Sequence, residues 1–144
     1  ILGMSHFIKT VDDIAEIINT TNPQAKYAVA FCEASGPALI RYEGNDQDLT
    51  KKAIDIMQNI KAGHSFIILL KNAYPINILT KIKLCDEVVR VFCASSNPLT
   101  VLIATNQRGS GIVGVIDGES PKGVENDDDK TKRREFLRKI KYKF

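Results

Sequence analysis

The spacing of apolar positions changes several times along the chain, and each change marks an element. Residues 1–8 read as a strand, with Leu2, Met4 and Phe7 as its buried groups. From Thr10 the spacing turns helical, and Val11, Ile14, Ala15 and Ile18 form one apolar stripe. Thr10 stands where a hydroxyl can accept from the first free backbone N–H groups, with Asp13 at the reciprocal capping position. Asn22-Pro23 closes that helix. Residues 26–32 and 38–42 read as two strands joined through Glu33-Ala34-Ser35-Gly36-Pro37, a hairpin. Gly44-Asn45-Asp46 leads into a longer helix, whose buried face is Leu49, Ala53, Ile56, Met57 and Ile60, with Gly63 at the expected cap.

Residues 65–70 are almost wholly apolar, as befits a central strand covered on both faces. A short helix is predicted after Tyr74-Pro75, with Ile76, Leu79, Ile82 and Leu84 inward. Residues 88–93, 99–104 and 111–116 are further strands. Near the end, Phe136, Leu137, Ile140 and Phe144 share one side of a last helix. The order β-α-β-β-α-β-α-β-β-β-α predicts an α/β domain with a mixed sheet and helices on both faces. No repeat or long linker divides residues 1–144, so a single domain is expected.

Composition narrows the class. Apolar residues make up 44% and charged residues 26% of the 144, a balance that excludes general disorder. The start, Ile1-Leu2-Gly3-Met4, has no basic stretch before a long apolar run, so no secretory leader is expected. No run reaches roughly 18 apolar residues, so no membrane span is expected. Cys32, Cys85 and Cys93 form no C-x-x-C pair, which favours free thiols in a reducing cytoplasm. Abundant isoleucine and the excess of Lys over Arg are compatible with a thermophile.

Charge is unevenly spread within a net +3. Acidic residues 125–129 precede a basic run over 130–143. Acid first and base last matches the macrodipole of one terminal helix, the plainer reading than nucleic-acid binding.

Several places could carry chemistry. Ser5-His6-Phe7-Ile8-Lys9-Thr10 joins a strand to a helix start, where free N–H groups suit phosphate. His6 adds a nitrogen nucleophile and Lys9 a point charge; a turn histidine beside a solvated lysine is the plainer alternative. His64 follows Gly63 directly before the most apolar strand. Lys71-Asn72 follow that strand, where open α/β sheets gather ligands. No spacing supports a metal site on the two histidines and the cysteines.

Gly109-Ser110-Gly111-Ile112-Val113-Gly114 matches G-x-G-x-x-G in letters only, because a strand and not a helix should follow. Ser120-Pro121-Lys122-Gly123 is a polar loop able to approach a ligand. The chain has no Walker loop, no H-R-D or D-F-G and no G-x-S-x-G elbow.

Taken together, Ser5–Val11, Ala30–Pro37, Arg41–Asn45, Ala62-Gly63-His64 and Leu70–Asn77 resemble the adenosine-specific kinase family. So do Phe92-Cys93-Ala94, Gly111–Gly118 and Ser120–Glu125, in the same order and over nearly the whole chain. The family is small, archaeal and bacterial. The resemblance implies a three-layer α/β/α sandwich, oligomeric assembly with a trimer among the options, and binding of adenosine or AMP. It also implies a phosphorylated histidine and hence a phosphotransferase, with a non-catalytic nucleotide-binding or sensing module as the alternative. One departure is Met4, where the family is expected to have a polar Gln.

On this reading His6, Lys9 and His64 are the catalytic candidates, with His6 preferred as phosphoryl carrier. Ser5, Glu33, Ser35, Gly36, Lys71, Asn72, Lys122 and Gly123 are the substrate-binding candidates. Glu33, Ser35, Lys71, Asn72 and Lys122 are expected to converge on one cleft. No cofactor is evident, and the phosphate donor is open.

Overall fold

The structure is a computed structural model that describes residues 1–144. In chain order it holds β1 (Leu2–Ser5), α1 (Thr10–Thr21), β2 (Lys26–Cys32), β3 (Ile40–Gly44), α2 (Gln47–Ile60) and β4 (Ser65–Lys71). Then follow α3 (Pro75–Lys83), β5 (Val88–Cys93), β6 (Leu99–Thr105), β7 (Ser110–Asp117) and α4 (Asp127–Lys139). The element order matches the one predicted.

Five strands form one sheet in the order β3-β2-β4-β1-β5, and β6 and β7 form a separate ribbon. Every strand pair is antiparallel, which corrects the mixed sheet expected from the alternation of helices and strands. The reason is topological. Each of α1, α2 and α3 joins two strands that run the same way but lie one strand apart, and an oppositely directed strand fills the gap: β4 between β1 and β2, β2 between β3 and β4, and β1 between β4 and β5.

β4 is the central strand, and Ser65 to Ile68 are buried. On one face Val11, Ile14 and Ile18 of α1, with Ile78 and Ile82 of α3, meet Val29, Phe31, Phe66 and Ile68. On the other, Leu49, Ala53, Met57 and Ile60 of α2 meet Ala28, Ala30, Cys32 and Ile67. Each fully buried aliphatic or aromatic side chain contributes roughly 1.5–3 kcal/mol of transfer free energy, so two such faces carry the fold. Gly3 marks the tightest spot, because a Cβ there would lie 2.3 Å from the Phe66 ring. No helix is long and apolar enough to cross a membrane.

Several local expectations change. Thr10 does not cap α1: Lys9 is the cap position without a side-chain bond, and the Thr10 hydroxyl donates to the Phe7 carbonyl at 2.5 Å. α2 is closed by left-handed Lys61 rather than by Gly63. Asp46 caps its start by accepting from Leu49 N–H at 2.9 Å. Phe7 is exposed rather than buried, because β1 ends at Ser5 and residues 6–9 form a turn. In α3, Ile76 and Leu84 face outward while Ile78 and Ile82 are buried. The G-x-G-x-x-G letters run from Gly109 in the turn into the ribbon strand β7, with no helix after them, as the rejection of the dinucleotide reading required.

Candidate functional site

The antiparallel register brings the C-terminal ends of β1 and β2 and the N-terminal ends of β3, β4 and β5 to one pole of the sheet. Residues 62–64, which bring the chain from α2 into β4, sit in the middle of that pole. His64 N–H donates to Cys32 O at 2.7 Å, and Ser5 N–H donates to His64 O at 2.9 Å. Its φ of +64° lies in the left-handed region, uncommon for a side chain with a Cβ. The imidazole stacks on the buried Phe31 ring, with centroids 5.9 Å apart and planes 17° apart. Gly63 is required beside it, since a Cβ would come 2.9 Å from Ala34 Cβ.

A cleft of about 890 Å³ opens beside this junction. Its walls are the 33–40 connection, the C-terminal end of α2 with Gly63, and the ribbon tip over 104–111. Glu33 on its wall is already engaged: Oε2 accepts from Leu39 N–H at 3.0 Å and from Arg41 Nη2 at 3.2 Å. The Leu39 amide, and then Arg41, hold that carboxyl below its usual range. Lys61 and Arg108 also line the cleft, and neither forms an ion pair. Two unpaired cations beside one neutralised carboxylate leave the cleft suited to an anion. The tip that carries Arg108 is built by Asn106, whose Oδ1 accepts from Arg108 N–H at 2.8 Å and Gly109 N–H at 3.1 Å.

The Ser5–Thr10 turn is less suited to phosphate than its sequence suggested. The amides of Thr10, Val11, Asp12 and Asp13 all bond within the turn, to Phe7, Ile8 and Lys9 carbonyls. Lys9 Nζ pairs with Asp13 and, at 3.0 Å, with Glu87 Oε1. Both carboxylates raise the lysine's pKa and consume its charge. His6 is exposed, and its N–H donates to Glu87 O at 2.9 Å. Ser5 is fully buried, with an Oγ that has no hydrogen-bond partner, so only its backbone serves the pole.

Glu87 is itself buried, and Cys85 Sγ donates to its Oε2 at 3.1 Å. That thiol, and then Lys9, pull the carboxyl down to about 2. The ligating atoms of Asp13, Cys85 and Glu87 lie within 4.8 Å of one another. Lys9 already offsets part of their charge, and burial followed by Glu87 pushes the Cys85 thiol up to about 11, the protonated form that does not bind metal.

The remaining predicted residues do not gather on one cleft within the chain. Lys71 pairs in register with Lys26 at the opposite pole and reaches Asp46 Oδ2 at 3.5 Å. Asn72 follows it in a left-handed turn, φ +58°. Lys122 and Gly123 are exposed in the segment after β7, with Lys122 paired to Glu119. Ser35 and Gly36 sit at the exposed tip of the 33–39 connection, close in sequence to the cleft but not among its lining residues. Sequence reasoning missed Lys61 and Arg108. The one local signal for them is the turn composition of Asn106–Gly109.

The family model described as "Adenosine specific kinase" matches residues 1–143. The chain belongs to that family. A solved structure, the crystal structure of PH1918 protein from Pyrococcus horikoshii OT3, superposes with a TM-score of 0.95 at 43% identity. The match covers 99% of this chain and 88% of that one. No functionally curated protein matches. The family membership supports an adenosine-related function.

Proposed function

We propose that this chain binds adenosine or AMP in the cleft between the 33–40 connection, α2 and the ribbon tip, and passes a phosphoryl group through a histidine. The observation that carries the reading is the family match over residues 1–143, joined to a cleft holding the unpaired cations Lys61 and Arg108. A nucleoside offers an apolar base for Leu39, Ile40 and Ala104, and a monophosphate offers charge for the two cations.

His64 suits the carrier role better than His6. It follows Gly63 of the cleft wall without itself lining the cleft, and its left-handed backbone is held on both sides by Cys32 and Ser5. Strained residues held by their surroundings cluster at functional sites. In the step itself an imidazole nitrogen attacks the phosphorus of a phosphorylated donor. The P–N bond forms as the donor's P–O bond breaks, and the donor oxygen keeps the electron pair. Transfer onward to a ribose hydroxyl breaks P–N, forms P–O and releases the hydroxyl proton to the imidazole.

A second reading, a nucleotide-binding or sensing module without turnover, is favoured by one observation. The amides of Thr10 to Asp13 are bonded inside their own turn and are not free for a phosphate on His6. Intact-mass measurement before and after phosphatase, with calorimetry against adenosine, AMP and ATP, tests both. A phosphorylated chain supports the first reading, nucleoside binding without any modification supports the second, and no nucleoside binding ends both.

Assembly into a homo-oligomer is part of this proposal. A folded monomer of 16.0 kDa should expose roughly 7,400 Å². This chain exposes 9742 Å².

A further inference from the structure

The C-terminal segment stands apart from the rest of the molecule. No hydrogen bond or ion pair joins residues 119–144 to residues 1–118; all their bonds close within the segment. No residue of α4 is buried. A 13-residue helix is marginal in water on its own, and most helical stability in proteins comes from packing an apolar face. α4 has such a face in Phe136, Leu137 and Ile140, and Phe136 is 58% exposed. Its capping box at Asn126 and Asp129, and the acid-to-base order along it, specify a helix. They do not supply a place for it to pack.

The body of the chain has a matching vacancy in its packing. Between α2 and β6 a groove of about 770 Å³ runs over the sheet face that α2 leaves uncovered. Ile56, Ile60, Ile67, Leu69, Leu99 and Val101 line it. Groove and helix face are both apolar, and the chain does not bring its own helix into its own groove.

We infer that α4 of one copy packs its Phe136–Leu137–Ile140 face into the α2–β6 groove of a second copy. This rests on the homo-oligomer reading above and places its interface. The area supports a second copy as occupant. The surface beyond that of a compact monomer is about 2,300 Å², well above the roughly 800 Å² per partner of a standard interface and within the range of obligate ones. A free nucleoside could cover only a small part of it. A heterologous contact of this kind closes into a ring of copies when the rotation permits.

The test uses the full chain in light scattering coupled to size exclusion. Wild type should run as a multiple of 16.0 kDa. Leu137→Glu on the helix and Ile56→Glu in the groove should each fall to the single-chain mass. Arg138→Glu, on the opposite side of α4, should remain assembled. Leu137→Glu touches no core residue, so its far-ultraviolet circular dichroism should stay native. Because Ile56 lies closer to the core, a second measurement covers the groove. Chains carrying Leu137→Cys, mixed with chains carrying Ile56→Cys and oxidised, should yield a disulfide-linked pair of unlike chains.

A monomeric wild type overturns both the oligomer reading and this placement. An oligomer unmoved by Leu137→Glu and Ile56→Glu overturns the placement alone, as does dissociation by Arg138→Glu. Loss of adenosine binding in Ile56→Glu with assembly intact makes the groove a nucleoside site and overturns it too.

Discussion

Lys9 Nζ donates to Glu87 Oε1 at 3.0 Å, tying the first turn of α1 to the segment that leads into β5. The bond spans 78 residues of sequence and fixes the Ser5–Thr10 turn from outside. Its charge chemistry gives a pH dependence. Glu87 is depressed from an ordinary value near 4.5 to about 2, by Cys85 and then Lys9. A carboxyl with a lowered folded-state pKa stabilises the fold above its unfolded value. That stability is lost as pH falls through the window from about 4.5 to about 2. Thermal melts in low salt should show this loss, and Glu87→Gln should flatten it. Lys9 is half exposed, so the pair is screened, and the midpoint at neutral pH should fall by only about 3 °C. An unchanged acid limb in Glu87→Gln would count against the assignment.

Phosphoryl labelling should separate the two histidines. If the chain carries phosphate, His64→Gln should abolish the added mass and His6→Gln should keep it. The reverse pattern would return the carrier to the α1 turn, despite its occupied amides.

Lys61 and Arg108 should read the phosphate rather than the nucleoside. Replacing both with Ala should weaken AMP about tenfold or more, the effect of roughly 1.4 kcal/mol, while adenosine changes little. Calorimetry in which both ligands weaken equally would move the phosphate elsewhere. Wild type should bind AMP more tightly than ATP.

Gly3→Ala should destabilise the fold by about 1–3 kcal/mol, because the new Cβ would lie 2.3 Å from the Phe66 ring and 2.9 Å from Arg90 O. Neither the β1 backbone nor the packed ring can yield far. A melting point within a degree of wild type would show that the sheet relaxes there after all.

Much of the fold was legible because it is local. The stripes Val11–Ile18 and Leu49–Ile60, the 26–32 strand and the buried run at β4 follow from periodicity within single elements, while the strand expected over 38–42 forms two residues later, over Ile40–Gly44. Strand direction was not, because it depends on where β1 inserts. Leu2 pairs with Ile67 and Cys93, more than sixty residues away, and no local pattern encodes that. The same fact decided the site. Glu33 and His64 were placed at one pole by β2 and β4, but Lys71 and Asn72, only a strand's length beyond His64, were carried to the other. Capping misled twice for a smaller reason. Lys61 accepts the left-handed conformation two residues before the glycine that invited it, and Thr10 donates where it was expected to accept.

The position of β1 also sets an order of events during synthesis. β1 belongs between β4 and β5, so it waits unpaired until residues beyond Lys71 have left the ribosome, and its second edge stays open until residues beyond Cys93 follow. Meanwhile β2 and β3 can pair as a hairpin, and β4, once made, meets β2 on one edge and β1 on the other. Such open edges invite pairing with other chains, and pairings distant in sequence form slowly. The nascent protein thus passes through a stage in which β1 is made but has no strand to pair with until β4 appears.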